Sequence, residues 1–366
     1  NATPGGYGGL EHRCCTALIC ARRDLPRLGQ SDASEGYTAL LGLISHEYFH
    51  TWNVKRLRPA EFARYDYGQE NYTRLLWFFE GFTSYYDDLL LLRAGLIDRA
   101  AYLKLLAKSL NQVWQTPGRH VQPVAEASFD AWVKYYRPEA HTPNATVSYY
   151  AKGALVALCL DLSLRREKQP ATLDDAMRLL WRRCKAGPMT ESDVAAALQE
   201  LTGRSFAAEL AAWVHGTQEL PVAELLAAHG ITATRQPPTP AQTLGLRASE
   251  KNGLVTLTHV LDGGAAQAAG MAPGDEWLGV ETGDEETGAN AHANAHAGWR
   301  LAALDDLPLY LRPGRRALAL ISRQGRLLRL PLALPEKAEG TWKLEAAASA
   351  GGEGGKGGAG QGWPWH

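Results

Sequence analysis

The stretch of the sequence with the clearest chemical potential is His46-Glu-Tyr-Phe-His50. In a helix, residues four positions apart lie on one face, so the two imidazoles can share a metal ion. Glu47 lies beside the first ligand and can take a proton from a zinc-coordinated water, whose pKa zinc lowers to about 7. An amphipathic helix with surface histidines is the alternative, but the flanking residues are strongly apolar. The spacing therefore predicts a zinc site with His46 and His50 as ligands and Glu47 as the catalytic base.

Glu80 is predicted to be the third ligand, since a catalytic zinc has three protein ligands and one open position. It is the only charged residue in a long run of apolar and aromatic residues. An unpaired carboxylate would be costly to bury there, and a metal partner removes that cost. Ser84 and Asp87 share its helix face and could hydrogen-bond to the ligands. The alternative is an ordinary salt bridge from Glu80 to Arg74 or Arg93.

Two longer stretches extend this pattern, His46-Glu-Tyr-Phe-His-Thr-Trp-Asn-Val-Lys-Arg-Leu-Arg-Pro59 and Glu80-Gly-Phe-Thr-Ser-Tyr-Tyr86. Together they resemble the glycyl aminopeptidase family, whose members are gluzincin metallopeptidases. The 29 residues between His50 and Glu80 favour this family over the larger aminopeptidase N family, in which the gap is shorter. The resemblance implies a thermolysin-like catalytic domain, one Zn2+ ion per chain and, in many members, a PDZ module that follows.

The same resemblance implies roles for residues on either side of the zinc motif. Gly8-Gly-Leu-Glu11 resembles the gluzincin exopeptidase motif, in which an edge strand containing Gly8 and Gly9 holds the peptide and Glu11 grips its free amine. Tyr150 aligns with the tyrosine whose hydroxyl stabilises the oxyanion of the tetrahedral intermediate. From the residues alone, Glu11 could be an ordinary loop carboxylate. Tyr149 could be the donor instead of Tyr150, or both tyrosines could only pack.

Several other residues are predicted to be structural. Spacing assigns no role to five residues of the family pattern, namely Trp52, Asn53, Lys55, Arg56 and Arg58. His292 and His296 repeat the four-residue spacing, but they lie in a polar loop without an acidic third ligand. We interpret that repeat as fortuitous.

The elements that must position these side chains are mainly helices. A strand is predicted at 12–20, and capped apolar patterns predict helices from about 34 to 229. A polar connection at 117–146 is of the kind that often carries function. The predicted helices span 36–52, 70–94, 98–115, 147–168, 172–186, 190–202, 205–215 and 221–229.

A proline-rich linker at 235–241 separates this region from short β-type runs between 242 and 334. Gln242-Thr-Leu-Gly-Leu-Arg247 resembles the carboxylate-binding loop of PDZ domains, which binds a peptide C-terminus. The segment from Ala265 to Leu278 resembles the bacterial PDZ helix and Gly-Asp turn. The alternative is a small β-module that only packs on the first domain. Residues 335–366 read as a glycine-rich tail, with 350–362 disordered.

The fold class predicted is therefore α+β multidomain. A mostly helical, thermolysin-like domain at 1–234, with its N-terminal part missing, precedes a β-rich, PDZ-like domain at 242–334. The net charge of −1 argues against nucleic acid or an anionic membrane as a main partner. No apolar run approaches the roughly 18 residues of a membrane span. The five cysteines resemble buried free thiols, without the pattern of a disulfide framework.

These observations predict a zinc-dependent aminopeptidase that acts on peptides, with a preference for N-terminal Gly or Ala that only the resemblance implies. A zinc endopeptidase is the alternative within the same chemistry. From a different class, the chain could be a catalytically silent PDZ-bearing protein that binds peptides. The intact Glu47 argues against silence. The resemblance is compatible with a bacterial cytoplasmic or periplasmic location.

Overall fold

A computed structural model describes residues 1–29, 33–282, 298–347 and 363–365. It shows an α+β protein in which a helical N-terminal region is followed by a region built on an antiparallel sheet, which confirms the α+β class. His292, His296 and the segment 350–362, predicted to be disordered, lie outside the described residues.

Three short strands precede the helices: β1 (Ala2–Thr3), β2 (Gly8–Glu11) and β3 (Thr16–Ala21). They form a sheet in the order β1-β3-β2, so β2 is an edge strand, antiparallel to β3. The strand predicted at 12–20 begins later, because residues 12–15 form the hairpin turn, in which the His12 N–H donates to the Cys15 carbonyl at 2.9 Å. All five cysteines are free, but Cys14 and Cys15 are exposed in this turn instead of buried.

The helical region contains eleven α-helices and two short strands among the described residues. Capping residues mark the starts of helices: the Ser34 hydroxyl accepts a hydrogen bond from the N–H of Tyr37, and the Asp98 carboxylate accepts one from the N–H of Ala101. The elements are α1 (Glu35–Phe49), β4 (Arg58–Pro59), α2 (Leu76–Phe79), α3 (Gly81–Arg93), α4 (Arg99–Trp114), α5 (Val124–Phe129), α6 (Thr142–Ala145), α7 (Tyr149–Leu164), α8 (Leu173–Arg183), β5 (Pro188–Met189), α9 (Glu191–Thr202), α10 (Ala207–Trp213) and α11 (Val222–Ala227).

Helix α7 lies at the centre of this region and is buried along almost its whole length. Helix α3 crosses it at backbone contact, since a Cβ on Gly81 would lie 2.4 Å from the Cα of Gly153. By length and composition alone, the stretch Thr142–Leu164 could cross a membrane, which the sequence analysis did not predict. Because 83% of its apolar window is buried within the protein, its surroundings are those of a core helix.

The C-terminal region is a sheet with short helices between its strands. The elements are β6 (Ile231–Arg235), α12 (Pro240–Leu244), β7 (Leu246–Lys251), β8 (Leu254–Val260), α13 (Ala265–Ala268), β9 (Glu276–Glu281), β10 (Gly298–Arg300), α14 (Leu307–Tyr310), β11 (Arg316–Arg323), β12 (Arg326–Ala333) and β13 (Trp342–Ala346). The strand order is β12-β11-β9-β8-β7, with β10 also paired to β9, and every pairing is antiparallel. The β-type runs predicted between 242 and 334 fall in strands of this sheet.

The chain then returns to the helical region. Strand β13 pairs antiparallel with β6, and the Asn111 side chain on α4 bonds both backbone groups of Trp342, at 2.6 and 2.8 Å. Trp363 and Trp365 are buried against the helices, and the Trp365 indole N–H lies 2.9 Å from the Tyr85 hydroxyl. The glycine-rich segment that follows residue 334 therefore includes a strand and a buried tryptophan pair.

Candidate metal centre

Three side chains converge where α1 meets the junction of α2 and α3. The Nε2 atoms of His46 and His50 are 3.1 Å apart, and Glu80 Oε2 lies 3.3 and 3.2 Å from them. A tetrahedral zinc with bonds of about 2.0–2.1 Å separates its ligand atoms by about 3.3 Å. The three donor atoms therefore fit one face of such a coordination tetrahedron.

Hydrogen bonds to the far side of each imidazole set which nitrogen faces the cluster. His50 Nδ1 lies 2.9 Å from the carbonyl oxygen of Asn53, which can only accept, so Nδ1 carries the proton. His46 Nδ1 lies 3.0 Å from the Asp87 carboxylate and is protonated for the same reason. In the neutral rings, both Nε2 lone pairs then point at the cluster. This is the arrangement that metal-binding histidines require.

Glu80 has no competing partner among the residues that the structure describes. Its Oε2 is buried and accepts no hydrogen bond there. The two arginines offered as salt-bridge partners are engaged elsewhere, Arg74 with Glu126 and Arg93 with Asp174, so that alternative is wrong. Burial by itself would raise the pKa of Glu80, but the positive charges that His50 and His46 carry when protonated lower it to about 2, so the carboxylate is ionised. The cluster therefore places an anionic oxygen against two imidazole nitrogens, which become lone-pair donors when a metal ion takes the place of their protons.

Glu47 lies beside this cluster, beneath the edge strand β2. A Cβ on Gly9 would lie only 2.0 Å from Glu47 Oε1, so only glycine allows β2 to pass over the carboxylate at this distance. Glu47 Oε2 is buried and accepts no hydrogen bond from any described residue. Burial is the main cause that raises the pKa of Glu47. A carboxylate with a free lone pair and a raised pKa is suited to accept a proton.

Tyr150 approaches the cluster from the start of α7. Its ring centroid lies 6.2 Å from that of His46, and its hydroxyl is 3.1 Å from the hydroxyl of Tyr136. Burial, and then the charge of Glu80, raise the pKa of Tyr150, so its hydroxyl stays protonated and can donate. Tyr149 is almost fully buried and packs against Tyr135. Tyr136 was not predicted; its place in the polar connection 117–146 is the only signal that pointed to it.

Glu11 lies at the end of β2 with its Oε1 3.0 Å from Lys55 Nζ. Its charge contributes to the raised pKa of Glu47, so the two carboxylates border the same space. The structure thus brings Gly9 and Glu11 of the predicted set to the cluster. It places Gly8 earlier on the same strand, with open space where its side chain would be. Ser84 donates its backbone N–H to the Glu80 carbonyl at 2.8 Å, but within the described part of the chain its hydroxyl makes no hydrogen bond to the three ligand side chains.

A cleft of about 380 Å³ opens beside the cluster and gives a ligand access to it. Glu80 and Tyr149 form part of its wall, together with Tyr136. Five of the other eleven lining residues are aromatic and partly or fully exposed. They include Tyr65, Tyr67, Phe129 and Trp132.

Comparison with known proteins agrees with this geometry. Residues 39–156, which contain the three cluster residues and Tyr150, match the family model described as M61 glycyl aminopeptidase. The fold matches the crystal structure of an aminopeptidase N family protein from Idiomarina loihiensis, with a TM-score of 0.85 and 32% sequence identity. That match covers 95% of this chain and 60% of the solved chain, so this chain spans less than two thirds of that relative. No curated protein matches the sequence significantly.

The hydrogen bond from His46 to Asp87 leads to a first prediction. Replacing Asp87 with Asn removes the charge that orients and polarises the His46 ring, so zinc affinity should fall by about 10–100-fold. Competition with a chromophoric chelator would measure the change. Asp305→Asn, at an exposed carboxylate of the C-terminal region, is the matched control. Equal affinities for the two variants would contradict a role of Asp87 in metal binding.

Proposed function

We propose that this chain, whose residues 39–156 match the M61 glycyl aminopeptidase family, is a zinc-dependent aminopeptidase that removes small N-terminal residues from peptides. The observation that carries the proposal is the triangle of donor atoms from His46, His50 and Glu80, with the free carboxylate of Glu47 beside it. The Gly or Ala preference rests on the family alone.

Zinc is the metal that this donor set favours, because two neutral imidazoles and one carboxylate are the ligands of many catalytic zinc sites. When bound, zinc would lower the pKa of a water molecule and polarise the scissile carbonyl. Glu47 then accepts the proton that the attacking water loses and delivers it to the departing amine. Its raised pKa supports the first transfer, since a carboxylate with a raised pKa accepts a proton more readily.

Tyr150 is proposed to stabilise the negative charge that develops on the substrate carbonyl oxygen. Its hydroxyl remains protonated, which a hydrogen-bond donor in this role requires. The Tyr136 hydroxyl, 3.1 Å away, can accept from Tyr150 or donate to it and so fix its orientation. Tyr149 is a weaker candidate because its ring is buried against Tyr135.

Recognition of the peptide is proposed to involve the edge of β2. The free side of this strand can pair with an extended peptide, as in other cases of strand addition. The positively charged N-terminal amine of a peptide bound in this way could then form an ion pair with the Glu11 carboxylate. The scissile bond would then lie one residue from the N-terminus. This recognition favours an aminopeptidase over the endopeptidase alternative.

The finer domain description is also a proposal. We assign residues 1–234 to a thermolysin-like catalytic domain, 235–241 to a linker, 242–334 to a PDZ-like domain and 335–366 to a C-terminal segment that returns to the helical region through β13. A PDZ-like loop is supported at Gly245, which ends α12 in the left-handed conformation with φ of 69° directly before β7. Its Cβ position lies 2.8 Å from the Cα of Gly264 just before α13. A peptide C-terminus is the ligand that such a loop would bind.

A catalytically silent, peptide-binding protein is the remaining alternative. A protein without catalytic activity would be under no selection to keep a general base beside three correctly spaced metal-ligand atoms. In this chain all four side chains are present and the ligand atoms lie within 4.8 Å of one another. The arrangement therefore favours an active enzyme.

The role of Glu47 gives the second prediction. Glu47→Gln should retain zinc, because the residue is not a ligand, and should lose about a thousandfold in kcat on alanine p-nitroanilide. Zinc content by atomic absorption and initial rates on the same preparation would test both. Glu345→Gln, at an exposed carboxylate paired with Lys343, is the control. A fully active Glu47→Gln protein would remove Glu47 from the mechanism.

The role of Glu11 gives the third prediction. Glu11→Gln removes the charge that pairs with the substrate amine, so kcat/KM for alanine p-nitroanilide should fall by the equivalent of about 2–4 kcal/mol. Zinc content should not change. The unaltered protein should cleave N-acetylated alanine p-nitroanilide poorly, since acetylation removes the amine charge. Equal cleavage of the acetylated and free substrates would favour the endopeptidase alternative.

A further inference from the structure

The turn that follows the second zinc-ligand candidate has an unusual backbone conformation. Val54 has φ of 141°, a strained conformation that β-branched residues rarely adopt. It is almost fully buried. Such strain persists only where surrounding interactions hold the backbone in place. The turn is therefore fixed by its neighbours.

Asn53 supplies much of that restraint. Its side chain is fully buried, and its amide donates to the Phe79 carbonyl and to the Thr83 hydroxyl, each at 3.2 Å. Its own carbonyl accepts the hydrogen bond from His50 Nδ1. The hydrogen bonds of Asn53 therefore connect the turn both to His50, directly after α1, and to Phe79, directly before Glu80.

The fixed turn directs Lys55 towards β2. The backbone N–H of Lys55 donates to the His50 carbonyl at 3.0 Å, and its ammonium group lies 3.0 Å from Glu11 Oε1. The two side chains are only 24% and 21% exposed, so solvent screens this pair less than a pair at the surface. Lys55 contacts one carboxylate oxygen, and the other remains for a second cation.

We propose that Lys55 is a positioning residue that holds the Glu11 carboxylate in place to receive the substrate amine. This inference rests on the proposed function. It gives a role to Lys55, to which the sequence spacing assigned none. Glu47 and Glu80 border the same space and repel a nearby carboxylate, while a bound zinc ion would attract it. The Lys55 ammonium balances these forces, because its pairing with Glu11 holds the carboxylate at the end of β2 and away from the metal position.

The inference predicts a change in substrate recognition and not in the chemical step. Lys55→Met should raise KM for alanine p-nitroanilide about tenfold, with kcat within about twofold of the unaltered protein and zinc content unchanged. Lys55→Arg should recover most of the loss, because a guanidinium can also pair with one carboxylate oxygen. Lys104→Met, which breaks the exposed pair between Lys104 and Glu35, is the matched control and should leave KM unchanged.

A double-mutant cycle separates positioning from a structural role. If Lys55 acts through Glu11, Lys55→Met should have no further effect on KM in a Glu11→Gln background. Additive effects of the two changes, or a fall in kcat with unchanged KM, would overturn the inference while aminopeptidase activity remains. If the unaltered zinc-loaded protein cleaves no free-amine anilide, the proposed function itself fails and the inference fails with it.

Discussion

The structure depends on one electrostatic constraint, which is that three electron-rich atoms lie about 3.2 Å from one another in a buried position. When both imidazoles are neutral, the lone pairs of His46 Nε2 and His50 Nε2 and the anionic Glu80 Oε2 repel one another, so a cation, either a proton or a metal ion, must lie between them. The surroundings maintain this arrangement, because Asp87 and the Asn53 carbonyl fix the tautomers of the two rings. The donor geometry is thus prepared by hydrogen bonds that do not themselves touch the metal position.

The packing of the helices fixes the positions of these three donor atoms. Helix α1 and the residue directly after it carry two of the donors, and the α2–α3 junction carries the third, so these elements must keep a fixed separation. Close contact at Gly81 and Gly153 packs α3 on the buried helix α7, which also carries Tyr150 in its first turn. The same contact therefore sets the distance between Glu80 and Tyr150. On the opposite side, Gly9 lets β2 approach Glu47.

Features with local sequence signatures could be predicted. The pair His46 and His50 follows from helical periodicity, and Glu80 follows from the cost of burying a lone carboxylate, so the sequence identified the residues that the structure brings together. The contact between Lys55 and Glu11 and that between Tyr136 and Tyr150 join residues 44 and 14 positions apart. No periodicity links such pairs, because they depend on how the turn after α1 and the connection 117–146 fold. The hairpin at 12–15 was missed because its residues are not typical turn formers.

X-ray absorption at the zinc edge, combined with anomalous diffraction from crystals of the zinc-loaded protein, tests the central claim most directly. The account predicts one zinc ion per chain, with two imidazole nitrogens and a carboxylate oxygen at about 2.0–2.2 Å, and an anomalous peak between His46, His50 and Glu80. Zinc coordinated by cysteine sulfur, or an anomalous peak elsewhere in the protein with none at this position, would contradict it.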